Sequence, residues 1–181
     1  MLKITVPKSE IYIESSNEFV SLEKDQTLQL EHSLLSLSKW ESKWHKPYLS
    51  RDDKTREEII DYIRCMTITP NVDPKVYIFL TQKNISEVVQ YIEDPMTATT
   101  FRNEEGSSKS GEIPTAEIIY YAMIASNIPF ECQKWHLNKL LTLIRVCSIK
   151  NQPPKKMSQR EIMSRNHRLN AARKRKFNTK G

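Results

Sequence analysis

Two cysteines and a histidine lie within the twenty-residue stretch IPFECQKWHLNKLLTLIRVC, which spans residues 128–147. Cys132 and His136 are four residues apart, a spacing that places two metal ligands on one turn of a helix. A zinc site needs further ligands, and no CxxC or HxxxH pair elsewhere in the sequence supplies them. Free cysteine is also common in protein cores. We therefore predict no metal or cofactor site, and we expect both side chains to be part of the packing.

Catalysis by a thiol or by paired carboxylates is the other chemistry that the residue types suggest. Each of the three cysteines could meet a histidine in space, but no glycine-bearing nucleophile turn or oxyanion loop accompanies them. The adjacent acidic pairs point in different directions on a helix, as expected of solvated charge or of charge at a helix N-terminus. We predict that the protein is not an enzyme. The residues weighed here are Cys65, Cys132, Cys147, Asp52-Asp53, Glu57-Glu58 and Glu104-Glu105.

A helix predicted over residues 129–148 must position the side chains of this stretch. On that helix Cys132 and His136 fall inside the apolar sector, whereas Trp135 lies on the polar half together with Lys139. A large aromatic residue there either covers another element of the same fold or meets a partner, where tryptophan is a frequent anchor. We take Trp135 and Lys139 as candidate partner-binding residues.

Charge is distributed unevenly along the chain, whose net charge is +6. Residues 1–149 hold seventeen basic and twenty-one acidic residues, a net charge of −4. Residues 150–181 hold eleven basic residues and one acidic residue, a net charge of +10. The basic segment is suited to solubilising the chain, to binding an acidic protein or to binding nucleic acid. Its candidate binding residues surround a predicted helix axis: Arg160, Arg165, Arg168, Arg173, Lys174, Arg175 and Lys176.

Targeting signals are not evident in the sequence. No apolar run has the length needed to cross a bilayer, and the opening segment MLKITVPKSEIYIE lacks the apolar core of a signal peptide. Three cysteines without CxxC spacing are typical of reduced thiols in the cytosol. We therefore expect a cytosolic protein that does not associate with membranes.

Alternating apolar and polar residues predict β-structure in the first thirty residues. Short β-prone runs at 11–13, 19–22 and 27–30 are separated by polar turns, and we predict a small antiparallel meander. A helix is predicted next, because apolar residues recur at spacings of three and four, although the serines at 33, 36 and 38 also allow a strand. Its expected face consists of Leu30, Leu34, Leu37, Trp40 and Trp44.

Capping signals mark the starts of the later helices. TREE at 55–58 is a capping box for a helix to about residue 67. Asp73 and Pro74 begin a helix through residue 80, and NISE at 84–87 begins another that ends before Pro95. The remaining expectations are a long polar loop or a mobile insertion at 95–113, helices at about 115–126 and 129–148, and a basic helix from the SQRE box at 158–161 to about residue 176.

These elements predict an α+β, mostly α fold, with a small N-terminal antiparallel β element on a helical body. Residues 1–149 form the predicted globular domain, in which 1–30 are β-rich and 31–149 mainly helical. Residues 150–181 form a basic C-terminal helical arm that follows a proline hinge at NQPP.

Four segments together resemble the tail assembly chaperones of tailed bacteriophages. They are LQLEHSLLSLSKWESKWHKPYLS, EEIIDYIRCMT, the stretch IPFECQKWHLNKLLTLIRVC and the closing NQPPKKMSQREIMSRNHRLNAARKRKFNTKG. The resemblance implies a non-enzymatic assembly factor of the infected bacterium's cytoplasm that is absent from the mature virion. Such factors bind the tape measure protein, keep it soluble and help to recruit tail tube subunits, and the family offers no catalytic residues.

Three functions remain as hypotheses at this point. The first is an assembly chaperone whose body binds tape measure or tube protein and whose arm extends the contact or recruits a second protein. The second is a structural tail or baseplate subunit in which the β element mediates contact, with self-association. The third is a nucleic-acid-binding regulator that uses the basic arm.

Overall fold

A β-ribbon begins the chain in the computed structural model, which describes residues 1–14, 17–101, 113–152 and 158–178. Its strands are β1 (Leu2–Val6), β2 (Ser9–Ile13), β3 (Glu18–Leu22) and β4 (Gln26–Leu30). The outer pair β1–β4 and the inner pair β2–β3 are both antiparallel, and the inner pair is nested within the outer one. The predicted meander is therefore wrong, because β1 pairs with β4 and not with β2.

Pro7 explains why the ribbon is divided into two pairs. Pro7 and Lys8 oppose three residues, 23–25, on the other side, so the register shifts by one residue between the pairs. Proline has no N–H to donate to a β-ladder. The Lys8 N–H instead donates to the Asp25 carboxylate at 2.8 Å. This hydrogen bond holds the two sides of the ribbon together where the backbone pairing is interrupted.

Helices make up most of the remaining chain that the structure describes, and the α+β, mostly α prediction is confirmed. The predicted starts at Thr55, Asp73 and Ser158 are correct, since each side chain caps the first turn. The α-helices are α1 (Leu34–Trp44), α2 (Arg56–Met66), α3 (Gln82–Glu93), α4 (Ala116–Ala125), α5 (Leu137–Asn151) and α6 (Gln159–Phe177), with 3₁₀ helices at Pro74–Phe79 and Phe130–Lys134.

Two predicted helix starts are displaced in the structure. Helix α3 begins after Thr81, and Asn84 is its third residue, bonded reciprocally to Thr81. The Asn84 side chain also donates to the backbone oxygen of Thr5 at 3.1 Å, which ties α3 to β1. Leu30, predicted on the face of the first helix, is instead the last residue of β4. Helix α1 begins only after its N-cap, Ser33.

The single helix predicted over 129–148 is wrong. The 3₁₀ helix ends at Lys134, Trp135 is extended, and α5 begins at Leu137. A tertiary contact causes the break: the Leu137 N–H donates to the backbone oxygen of His32 at 2.7 Å, and residues Ser33 and His136 form an isolated β-bridge. The extended segment before α5 is thus bonded to the junction between β4 and α1.

Helix α1 contributes to both hydrophobic clusters that the described residues form. Trp40 packs in a first cluster with β1, β4, α2, α3 and the first 3₁₀ helix. Leu34 and Leu37, on the same helix, pack in a second cluster with α4, the second 3₁₀ helix and α5. The Trp40 indole N–H donates to the backbone oxygen of Glu58 at 3.0 Å, so the buried ring has its polar atom satisfied.

The chain forms two compact units, Met1–Ser148 and Ile149–Gly181. Every described residue of the second unit is exposed, apart from Ala171, which is half-buried. Residues 95–101 contain neither helix nor strand, as predicted for the polar loop. The rest of that loop, 102–112, and the predicted proline hinge at 153–154 lie outside the described residues.

Candidate functional site

Trp135 is a surface residue, as the sequence predicts, although no helix places it there. Its N–H donates to the Cys132 backbone oxygen at 3.0 Å, and an extended backbone conformation follows. The side chain keeps 39% of its surface exposed. Trp135 is therefore held at the junction between the second 3₁₀ helix and α5, where the backbone is tied to the core.

Lys139, which the sequence placed on the same polar half as Trp135, lies beside it in the structure. Its ammonium nitrogen is 4.4 Å from the centroid of the indole ring. Such a contact between a cation and an exposed aromatic face contributes about 0.5–1 kcal/mol. The indole ring offers an apolar surface that can cover apolar groups of a partner. The flexible Lys139 side chain keeps its positive charge in water beside that ring.

Exposed apolar side chains on α4 and the second 3₁₀ helix were missed by sequence reasoning. Tyr121 is 73% exposed, and Ile124, one turn further along α4, is also exposed. Phe130 is 52% exposed, and its ring lies 6.4 Å from that of Tyr120. The sequence of α4, AEIIYYAMIA, is apolar on nearly all sides, so its periodicity gives no indication of which side is solvent-facing.

Cys132 and His136 are buried, and the interpretation of both as packing residues is confirmed. Cys132 belongs to the second hydrophobic cluster. The imidazole Nε2 of His136 lies 3.0 Å from the Tyr91 backbone oxygen, and its ring meets the Tyr91 ring edge-on. These two side chains therefore face away from the surface that carries Trp135.

A buried pair of histidines joins the two parts of the core, and sequence reasoning did not identify it. His32 and His136 have ring centroids 5.1 Å apart, and His32 Nδ1 lies 2.6 Å from the Tyr62 hydroxyl. Burial, and secondly the nearby His136, lower the pKa of His32 to about 3. His32 is only 1% exposed, so this polar cluster stabilises the fold and is closed to a substrate.

Three acidic side chains are also buried with partners in place. Glu41 accepts the N–H groups of Tyr48 and Ala116, at 2.8 and 2.7 Å. Asp61 pairs with Lys43 and accepts the Trp44 indole N–H. Glu58 is buried at the start of α2, where the hydrogen bond from Lys46 and then that from Thr55 lower its pKa. The expectation of solvated charge is thus wrong for Glu58, whose other predicted role, at a helix N-terminus, is confirmed.

The chemistry available to the cysteines is limited by burial. Cys65, Cys132 and Cys147 are all free thiols. Burial, and secondly the Asp61 carboxylate, raise the pKa of the Cys65 thiol, which therefore stays protonated at neutral pH. Within the described residues, no group of three or more histidine, cysteine or acidic side chains is placed to hold a metal ion.

A depression of about 280 Å³ lies beside the start of α2. The ammonium group of Lys46 there pairs with Glu58 at 2.8 Å, and that of Lys54 donates to the Ser50 backbone oxygen at 3.2 Å. Both cations at its wall therefore already have partners within the fold. Its lining consists of Trp40, Lys46, Pro47, Ser50, Asp52, Asp53, Lys54 and Glu58.

The basic arm contains the other candidate residues, all of which lie on α6. Ser158 and Glu161 form the predicted capping box at its start. Arg160, Arg165, Arg168, Arg173, Lys174, Arg175 and Lys176 are all exposed. The structure thus gathers the candidates into two groups, the Trp135–Lys139 pair in the first unit and the seven basic side chains in the second.

Comparison of the chain with protein-family models, with curated proteins and with solved structures yields no match. None of the helices among the described residues has the length and apolar character needed to span a bilayer.

Proposed function

We propose that this protein is a non-enzymatic tail assembly chaperone of a tailed bacteriophage, which binds the tape measure protein, the tail tube protein or both. The proposal originates in the resemblance of four sequence segments to that family. One structural observation carries it further: Trp135 is an exposed tryptophan with a fixed backbone and a cation at its face. Aromatic residues of this kind are frequent anchors in protein interfaces.

The proposed partner chemistry agrees with the surface around Trp135. A tape measure protein, as the resemblance implies, is long, largely helical and carries apolar stripes that aggregate when uncovered. Exposed aromatic side chains pack against an apolar stripe on a partner helix. A neighbouring lysine keeps its charged end in water at the edge of that contact. The exposed side chains of Tyr121, Ile124 and Phe130 add further apolar area to the same unit.

The buried histidines, thiols and carboxylates support a role without catalysis. His32, His136 and Cys132 are enclosed in the core, and Glu41 accepts two backbone N–H groups there. Their functions are accounted for by packing and by hydrogen bonds within the fold. We place the protein in the host cytoplasm during tail assembly and expect it to be depleted from mature particles.

Co-expression with the tape measure protein of the same phage tests the proposal. A stable complex should elute ahead of either protein on size exclusion, and the soluble yield of tape measure protein should rise. The proposal would be contradicted if the protein bound neither the tape measure protein nor the tube protein and was present at full copy number in mature particles.

A structural tail or baseplate subunit is a second candidate, favoured by one feature of the β-ribbon. Phe19 is 70% exposed on β3, and its ring lies 4.9 Å from that of Tyr12 on β2. Two neighbouring exposed aromatic rings on a two-stranded ribbon suit contact with another subunit. Mass spectrometry of purified virions separates the candidates, because a structural subunit is retained at stoichiometric copy number and a chaperone is depleted.

A further inference from the structure

We propose that helix α6 binds double-stranded DNA by lying in its major groove, an activity separate from the chaperone function. Seven basic residues and one acidic residue occupy Gln159–Phe177, which gives this helix a net charge of +6. All seven basic side chains are exposed, and no residue of the helix is buried. The question is which partner matches such a surface.

The arrangement of charge around α6 favours a groove over a flat surface. Successive helical residues turn by about 100°, so the seven basic positions leave no empty sector wider than about 100°. A flat partner meets only one side of such a helix and leaves the remaining cations unmatched. A groove with phosphates on both walls faces cations on several sides at once.

The amount of negative charge needed to match α6 favours a polyphosphate over an acidic protein surface. A 19-residue helix is about 28 Å long, and duplex DNA carries about sixteen negative charges over that length. By contrast, the whole of residues 1–149 has a net charge of only −4. The globular part of a second copy of this chain therefore offers less net negative charge than the net +6 of α6, whereas DNA offers more.

Groove dimensions favour DNA over duplex RNA. An α-helix with its side chains is about 10–12 Å across, and the major groove of B-form DNA is about 12 Å wide. The major groove of A-form RNA is deep and too narrow for side chains to read. The capping box of Ser158 and Glu161 gives the helix a defined start and favours the helical form that would dock.

The apolar residues of α6 do not form a membrane-binding face. Ile162, Met163, Leu169 and Phe177 are exposed and fall within a sector of about 120° around the helix axis. Arg173 lies inside that sector, within about 40° of Ile162, Leu169 and Phe177. Burial of this sector in lipid would carry the Arg173 charge with it, and a charge inside the hydrocarbon region is costly.

Fluorescence anisotropy of a labelled 20-base-pair DNA duplex of arbitrary sequence, titrated with the full chain, tests the proposal. Each phosphate neutralised contributes about 0.9 to the slope of log affinity against log salt concentration. We expect saturable binding with a slope of about −4.5 to −5.4 for five or six contacts. Absence of saturable binding at about 50 mM salt would overturn the proposal.

A quadruple variant, R173Q/K174Q/R175Q/K176Q, should lose at least about fifty-fold in affinity at about 100 mM salt and reduce the slope by about three to four. Glutamine is a good helix former, so the helix should persist, which circular dichroism checks. The matched control K3Q/K24Q/K75Q/K83Q removes four exposed lysines from the first unit and should bind DNA within about two-fold of the unmodified chain. An equal loss in the control would overturn the assignment to α6.

Two competitors test the choice of partner. Poly-glutamate at equal charge should displace the DNA poorly, and a 20-base-pair RNA duplex should bind at least ten-fold more weakly. Equal competition by poly-glutamate would assign α6 to acidic proteins. Equal binding of the RNA duplex would contradict docking of α6 in the major groove of DNA. Neither experiment uses the tape measure protein, so their outcome is independent of the chaperone proposal.

Discussion

Neighbouring residues Trp135 and His136 face opposite environments. The extended backbone at Trp135 leaves its indole exposed, and the bridge to Ser33 carries His136 into the core. In an extended segment, successive side chains point to opposite sides. The separation of a surface anchor from a core histidine is therefore a consequence of a two-residue break between helices.

Replacing Trp135 with alanine should reduce partner binding more than stability. We expect at least a ten-fold loss of affinity for the tape measure protein, about 1.4 kcal/mol. The free energy of unfolding should fall by at most about 1 kcal/mol, because Trp135 keeps 39% of its surface exposed. Isothermal titration calorimetry and urea unfolding measure the two quantities.

Two further variants calibrate that experiment. Phe19→Ala removes an exposed aromatic residue from the ribbon and should leave tape measure affinity unchanged. Leu140→Ala removes a fully buried side chain and should cost about 2–5 kcal/mol of stability. If Trp135→Ala destabilises the protein as much as Leu140→Ala, Trp135 is a core residue and the anchor role is wrong.

His32 should make the protein less stable in mild acid. Its pKa in the folded protein is about 3, below the ordinary value of 6.5, so the unfolded chain takes up a proton first as pH falls. The stability linked to His32 is therefore complete above about pH 6.5 and decreases as pH falls toward 3. Between pH 7.5 and 4.5 the expected loss is about 2–3 kcal/mol.

Urea unfolding at several pH values checks this expectation. The variant His32→Gln has no imidazole to titrate at this position and should show a shallower decrease than the unmodified chain. His167→Gln, which replaces an exposed histidine on α6, should retain the full decrease. Parallel profiles for the unmodified chain and His32→Gln would show that His32 does not cause the acid sensitivity.

At the scale of elements, helix α4 depends on a side chain from another helix. Thr115, which precedes α4, makes no capping hydrogen bond with its side chain. Glu41 of α1 instead accepts the N–H of Ala116 at 2.7 Å and that of Tyr48 at 2.8 Å. One buried carboxylate thus joins α1, the segment after it and the start of α4.

Glu41→Ala should cost about 2–4 kcal/mol, because it leaves two N–H groups without their acceptor in the protein interior. Chemical denaturation followed by circular dichroism measures the change. Glu93→Ala, at the exposed end of α3, serves as the control and should change stability by no more than about 0.5 kcal/mol. A Glu41→Ala variant as stable as this control would show that water replaces the carboxylate.

At the scale of the whole molecule, the two units differ in what stabilises them. The first unit contains both hydrophobic clusters, whereas α6 in the second has a capping box and no buried residue. A helix without buried area is marginally stable by itself. The first unit should therefore fold without the second.

A chain that ends at Asn151 tests this independence. Its free energy of unfolding should lie within about 1 kcal/mol of the full chain, because no buried residue of the described arm is removed. It should also lose the DNA affinity assigned to α6. Thermal and urea unfolding measure the first property, and collapse of the cooperative transition would show that the arm contributes to the core.

Capping signals were readable from the sequence only where they follow the common pattern. The boxes beginning at Thr55 and Ser158 carry glutamate at the third helical position and were predicted correctly. The boxes of α1 and α3 use Ser36 and Asn84 at that position. Serine and asparagine also favour turns and loops, so their side chains alone do not identify a helix start.

The sequence by itself determined the mostly helical class and the separation of an acidic segment from a basic arm. Local periodicity, capping and composition carry that information, because each depends on residues close together in the chain. Only the tertiary structure decided the nesting of the ribbon, the break before α5 and the histidine pair. These features depend on hydrogen bonds between distant segments, such as that from Leu137 to His32, and no local pattern encodes them.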